Sequence, residues 1–365
     1  MKPIRLAANQ VPRFYRGGAA IAELRGTRVA GEFLPEDWVG STTATYGFDA
    51  AGLTVLDDGR TLRAAVEADP EAFLGPRHVD AYGADPALLV KLLDAGERLP
   101  VHCHPGRGFA SRHLGCRNGK TEAWVVVGTD GTSPRVHLGF RDDADPEWLA
   151  GVVAAQRAGP LLASLNALPV AAGDTVLVPA GVPHAIGAGV FLVELQEPTD
   201  FSVLLEWDGF AVDGGRDGHL GLGFELALQC VDRSGRGADE LARLRGGRGQ
   251  VRPGVERLFP DEADPFFRAE RLRPDPVAGL DPAFSILVVT YGSGRVETEA
   301  GALDLGRGDT VLLPFAAGDG EVSGGLEAVR CLPPAPEAAP WSAGAHALQP
   351  SSTEGPGTTE RREGR

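Results

Sequence analysis

Three short segments of the chain concentrate side chains that bind metals and move protons. The first, Gly96–His104, reads G-E-R-L-P-V-H-C-H. Side chains alternate along a strand, so there His102 and His104 share one face and Cys103 takes the other. The second, Gly119–Glu122, reads G-K-T-E, which puts Lys120 and Glu122 on one face. The third, Gly173–His184, reads G-D-T-V-L-V-P-A-G-V-P-H, and its Gly and Pro residues place His184 just after a tight turn at a strand end. Imidazole and carboxylate are the ligand types of divalent metal ions. The other histidines, His78, His113, His137, His219 and His346, have no partner at ligand spacing and read as loop or surface residues. The four cysteines show no C-x-x-C pairing, so they read as buried small hydrophobes and reduced thiols of a cytoplasmic protein.

The elements around these segments must be short. The 365 residues include 50 Gly and 28 Pro, which makes the chain rich in turns. From Leu99 onward the pattern is one of short strands bounded by Gly, Pro and Asp: Val101–His104, Thr121–Val127, Arg135–Gly139, Thr175–Pro179 and Val190–Leu195. Asp145-Pro146-Glu147 opens a helical interruption that runs to about Asn166. Upstream, Thr61 is placed to cap a helix that Asp69-Pro70 interrupts, and the apolar run Pro86–Ala95 suits a buried strand or a buried helical turn equally. A second strand-rich stretch spans Val251–Leu332 and echoes the first: G-D-T-V-L-V-P-A-G at 173–181 returns as G-D-T-V-L-L-P-F-A at 308–316, without the histidine. The Gly- and Arg-rich stretch 235–249 reads as a solvated connector with a short helical piece near Asp239–Leu244. The expected organisation is a metal-binding unit over 1–234, a second, metal-free unit over 250–332, and a disordered tail over 333–365, ordered no further than about Trp341.

Charge narrows the partners. The balance of 35 basic against 50 acidic residues gives −15, which argues against nucleic acid and anionic membranes. No apolar run is long enough to span a bilayer, and the N-terminus lacks a signal-peptide pattern. Only three residues are lysine, Lys2, Lys91 and Lys120, against 32 arginines. Lysine is compact and can titrate when buried, which sets these three positions apart in an arginine-rich chain.

Taken together, Gly96-x5-His102-x-His104, the later Glu122, and Gly173-x5-Pro179-x-Gly181-x2-His184 resemble the cupin double-stranded β-barrel. Inside such a barrel three histidines and one carboxylate suit a borderline divalent ion and leave positions for water or substrate oxygens. The resemblance sharpens to the class I mannose-6-phosphate isomerase family in its short bacterial form, and runs to about Leu332. Glu36-x-Trp38-x-x-Ser41, Gly59-Arg60-Thr61-Leu62, Pro70-Glu71 with Leu74-Gly75, Leu89–Ala95, Val101–Pro105, Gly119–Trp124, Pro179–Gly187 and Glu194-Leu195-Gln196 look like that family's segments, in its order. The resemblance implies a mainly β fold of two tandem cupin barrels, with a few helices inserted in the first. It implies metal ligation by His102, His104, Glu122 and His184, with zinc as the metal. It also implies interconversion of an aldose and a ketose, as a sugar or sugar phosphate, through an enediol. Glu194 and a lysine, Lys91 or Lys120, are then the candidates for proton transfer, and Trp38, Ser41 and Arg107 for substrate binding. The protein would be a monomer or homodimer.

Three positions depart from the family pattern. His102 stands where the family has Gln, giving a three-histidine set that also suits iron or manganese. Gly106-Arg107 replaces acidic residues. Leu204 stands where the family has an arginine, which would hold an anionic group; Arg107, Arg112 and Arg117 are alternative sources of that charge. The alternatives these departures raise are a cupin iron oxygenase and a non-catalytic sugar-binding homologue.

Overall fold

The computed structural model describes residues 1–131 and 133–339. The chain is mainly β, built from antiparallel sheets of six, five and nine strands. The six-stranded sheet runs in the order Gln10–Val11, Glu36–Val39, Leu89–Asp94, Val190–Gln196, Glu122–Thr129, Thr175–Val178. The run 86–95 that periodicity left open is therefore largely strand. It lies between two strands and is buried on both faces, which is why it carries no alternation.

The five-stranded sheet runs Val203–Leu204, His102–Cys103, His184–Ile186, Arg135–Phe140, Leu165–Pro169. The two sheets meet through their side chains: the rings of Trp124 and His184, one from each, lie 5.6 Å apart. Two helices rather than one fill the interruption, Pro146–Ala154 and Ala158–Ser164. The break falls at Gln156, whose φ of 47° no helix interior accepts. Asp145 caps the first of them, accepting from the N–H groups of Glu147 and Trp148, and Thr61 caps Leu62–Ala68 through the N–H of Ala64.

The nine-stranded sheet takes its strands from 249–332 and one from the start of the chain: Ile4–Arg5 pairs with Thr310–Leu313. The internal echo is structural as well as sequential. Gly173 and Gly308 have φ of 96° and 91°, and in each copy the following Asp, Asp174 or Asp309, accepts from a backbone N–H three residues earlier. A strand then follows in both, but the second copy ends in a 3-10 turn, Phe315–Ala317, where the first delivers His184.

Two expectations need correction. The connector does form a helix, Ala238–Arg243, but it is not simply solvated: Leu241 and Leu244 are buried in the main core, and the N–H of Leu177 donates to the carbonyl of Leu244. His78 and His137 are not surface residues. His78 sits buried on the helix Pro76–Tyr82 with Nε2 2.8 Å from the Asp85 carbonyl, and His137 is buried on the strand Arg135–Phe140. Of the expected tail, 333–339 packs against the helix Pro76–Tyr82, where the Tyr82 hydroxyl donates to the Ala335 carbonyl; the rest, with Trp341 and His346, lies outside the described residues. All four cysteines are free, and the sulfurs of Cys103 and Cys230 lie 3.7 Å apart. No helix among the described residues is long and apolar enough to cross a membrane.

Candidate metal centre and active site

Strand register assembles the site. His102 pairs with His184 on one side and with Leu204 on the other, so these three side chains share a face, and His104 joins them two residues on. In the six-stranded sheet one cross-strand row reads Trp38, Lys91, Glu194, Trp124, and the next reads Leu89, Gln196, Glu122. Glu36 and Glu122 sit two residues from Trp38 and Trp124 on the same face. The two faces oppose each other, which brings Glu122 to the histidines.

The imidazoles are oriented from behind. Nδ1 of His102 lies 2.8 Å from the Pro100 carbonyl, that of His104 2.7 Å from the Phe201 carbonyl, and that of His184 2.8 Å from the Val182 carbonyl. Each carbonyl needs a donor, so each ring carries its proton on Nδ1 and turns a bare Nε2 inward. The ligand atoms of the three rings lie within 4.8 Å of one another. Glu122 faces them, with Oε2 2.9 Å from His104 Nε2 and Oε1 3.2 Å from His184 Nε2. Burial, and then the neighbouring cations and rings, push His102 well below the usual imidazole range and His104 down to about 3. Burial opposes the charge on Glu122 as well, but His104, His184 and Lys120 outweigh it and hold the carboxyl well below its ordinary range.

His104 Nε2 meets Lys120 Nζ at 3.2 Å, but the inward Nε2 of His184, buried without a hydrogen-bond partner, faces the Glu122 carboxylate at 3.2 Å with no proton to share. Such an arrangement is repulsive unless a cation sits among the donors. The donor chemistry therefore fits a divalent metal ion held by His102, His104 and His184, with Glu122 in reach.

Beside this cluster lies a buried set of charges. Lys120 Nζ is 3.2 Å from His104 Nε2 and 3.7 Å from Glu122, and burial and then Lys91 lower its pKa. Lys91 Nζ lies between Glu194, at 3.3 Å, and Glu36, at 3.6 Å, and 5.0 Å from the Trp38 ring centre. Burial drives the Glu194 carboxyl up to about 7, against the opposing pull of Lys91. Glu36 also accepts from Trp38 Nε1 at 2.6 Å and from the Tyr15 hydroxyl.

The structure brings His102, Glu122, Lys91, Lys120 and Glu194 to the walls of one cleft, with Leu204, and His104 and His184 stand beside His102 just behind them. Three sequence candidates stand elsewhere. Trp38 is fully buried behind Lys91. The Ser41 hydroxyl is also fully buried and donates to the Thr43 carbonyl in a turn. Arg107 turns away from the cleft, bound to Glu197 at 2.6 Å and the Pro265 carbonyl at 2.9 Å over the Phe266 ring. Arg13 and Tyr15 line the cleft instead, and no sequence signal marked them. Arg13 makes a two-pronged pair with Asp200, at 3.0 and 3.2 Å.

No family model matches the chain. It is 26% identical over 313 residues to a mannose-6-phosphate isomerase of Streptococcus mutans, an alignment covering 83% of this chain and 92% of that one. It is 25% identical over 248 residues to a mannose-6-phosphate isomerase of Bacillus subtilis, 66% of this chain and 73% of that one. Among solved structures, the mannose 6-phosphate isomerase of Bacillus subtilis superposes with a TM-score of 0.72 at 22% identity, over 91% of this chain and 99% of that one. A mannose 6-phosphate isomerase bound with zinc and yttrium does so with a TM-score of 0.70 at 15% identity, over 92% of this chain and 100% of that one. The chain is a homologue of proteins named mannose-6-phosphate isomerase and has the fold of the phosphomannose isomerases.

Proposed function

We propose that the protein is a metal-dependent aldose–ketose isomerase of the mannose-6-phosphate isomerase type, acting on a sugar or sugar phosphate through an enediol. The observation that carries this reading is one buried cleft holding a metal-type donor set beside Lys91, Lys120 and Glu194. His102, His104, Glu122 and His184 would hold the ion, and the solved relative bound with zinc favours zinc. Such an ion supplies positive charge where the enediolate oxygen develops its negative charge.

The chain's own residues carry the proton. Glu194 takes it from one of the two carbons, C1 or C2, and returns it to the other. A hydroxyl proton passes in the same direction between O2 and O1 by way of Lys120, which takes it from one oxygen and gives it to the other, so atoms and charge balance. A carboxyl poised near 7 suits both halves of that exchange. Lys91 holds Glu194 in place, and Lys120 donates to the substrate oxygen as its charge grows. The second strand-rich unit, 250–332, is read as a metal-free cupin with a structural role, because its copy of the turn ends in Phe315–Ala317 without a histidine. A cytoplasmic location suits the four free cysteines.

The test is turnover by purified protein loaded with Zn2+, Mn2+ or Fe2+, offered mannose, fructose and their 6-phosphates. Interconversion of an aldose with its ketose is expected. No turnover of any pair with any metal overturns the reading.

A further inference from the structure

Every cationic side chain lining the cleft already has a carboxylate. Arg13 spans Asp200 with both terminal nitrogens, and its Nε lies 3.5 Å from Glu36. Lys91 lies between Glu36 and Glu194, and Lys120 lies against Glu122 and His104. A metal bound by Glu122 would free Lys120, but beside the ion, where it meets reacting oxygens rather than the far end of a substrate. None of the lining residues belongs to a helix, so no helix N-terminus offers its amides to an anion. Leu204, in register with His102, presents an isobutyl group to the cleft. Arg63 stands in the adjoining cleft, held by the Thr42 carbonyl, but Glu67, Asp85 and Asp200 line that cleft with it.

A phosphate monoester carries nearly two negative charges and is bound by guanidinium, ammonium or amide donors free to turn to it. Here it would meet guanidinium and ammonium groups that are taken, with four carboxylates beside them. A hydroxyl asks for something else, since it donates one hydrogen bond and accepts others. The cleft contains the complement: Arg13 Nε is a buried donor and Glu194 Oε1 a buried acceptor, each facing an opposite charge, Glu36 at 3.5 Å and Lys91 at 3.3 Å, but neither making a hydrogen bond within the protein. The Tyr15 and Ser202 side chains add hydroxyls to the same walls.

We infer that the cleft selects an unphosphorylated aldose or ketose over its phosphate ester, with Arg13 and Glu194 hydrogen-bonding to sugar hydroxyls. The inference rests on the isomerase reading for its chemistry, but its charge argument concerns binding alone. Two measurements on the full-length, zinc-loaded protein separate them. In turnover, kcat/KM for mannose or another neutral aldose is expected to exceed that for its phosphate ester at least tenfold; equal or better use of the ester overturns the inference and leaves the isomerase reading standing. In calorimetric titration, the unreactive D-sorbitol is expected to bind at least tenfold more tightly than D-sorbitol 6-phosphate. If neither class is turned over, the isomerase reading fails and this titration still decides the ligand class: tighter binding of the ester overturns the inference. A third arm is Leu204→Arg, which adds an uncommitted guanidinium to the wall. In a variant that binds zinc and melts like the parent, preference should move at least tenfold toward the phosphate; no movement overturns the charge argument.

Discussion

At the residue scale the site depends on which nitrogen of each histidine carries the proton. Three backbone carbonyls fix Nδ1 as the donor, so removing one ring removes one inward lone pair and leaves Glu122 less compensated. His104→Ala is predicted to weaken Zn2+ binding by at least about tenfold and to lose most turnover, read by chelator competition and by kcat/KM. Glu194→Gln keeps the shape but removes the carboxyl proposed to carry the proton. Its kcat should fall by about 10²–10⁴ while zinc content stays at the parent level; parallel loss of zinc would mark the residue as structural. The histidines and Glu122 were legible in the sequence because strand alternation and turn residues fix their geometry locally. Arg13 and Tyr15 were not, because their partners Asp200 and Glu36 lie at distant points of the chain and no spacing links them. Arg107 misled for the same reason in reverse: its type suggested an anion site, and the fold gave it Glu197 and Phe266.

At the element scale, the N-terminal loop that carries Arg13 is tied to the segment following Val190–Gln196 by the Arg13–Asp200 pair. Burial raises the Asp200 carboxyl, but Arg13, with Lys91 and Lys120, outweighs it and the pKa falls to about 2. A depressed carboxyl contributes stability that is complete above its unfolded value, near 3.9, and is lost as pH falls through the folded one. Between pH 4 and 2 the parent should therefore lose about 2 kcal/mol more than Asp200→Asn, on the order given by the shift. Urea denaturation across that range checks it; equal acid sensitivity of the two proteins would place the lost stability elsewhere. Element identity was legible where caps and turns announce it, as at Thr61 and Asp145. It was not where a strand is covered on both faces, as in Leu89–Asp94, since burial there erases the pattern that distinguishes strand from helix.

At the scale of the whole molecule, the nine-stranded sheet and the two sheets that carry the histidine cluster and Glu122 share one core: Ile286, Val288 and Leu312 cluster with Leu92, Trp124 and Val193. Ile286 also lies against Gly40, where a β-carbon would come within 2.9 Å of its Cδ1. Ile286→Ala should cost about 2–5 kcal/mol in urea unfolding. It should leave kcat of the folded protein unchanged; a fall in kcat at full metal occupancy would show that the second sheet acts on the chemistry. The internal echo made this unit visible in the sequence, but nothing in the sequence announced that Ile4–Arg5 would join it. That pairing has a consequence for how the protein is made. Ile4 is made long before its partner Leu312, which lies on the far side of both metal-site sheets in chain order. The last residue of the metal cluster, His184, is available far earlier. The three histidines can thus come together before the nine-stranded sheet closes, and Ile4 and Arg5 wait, unpaired, until Val311 and Leu312 are made.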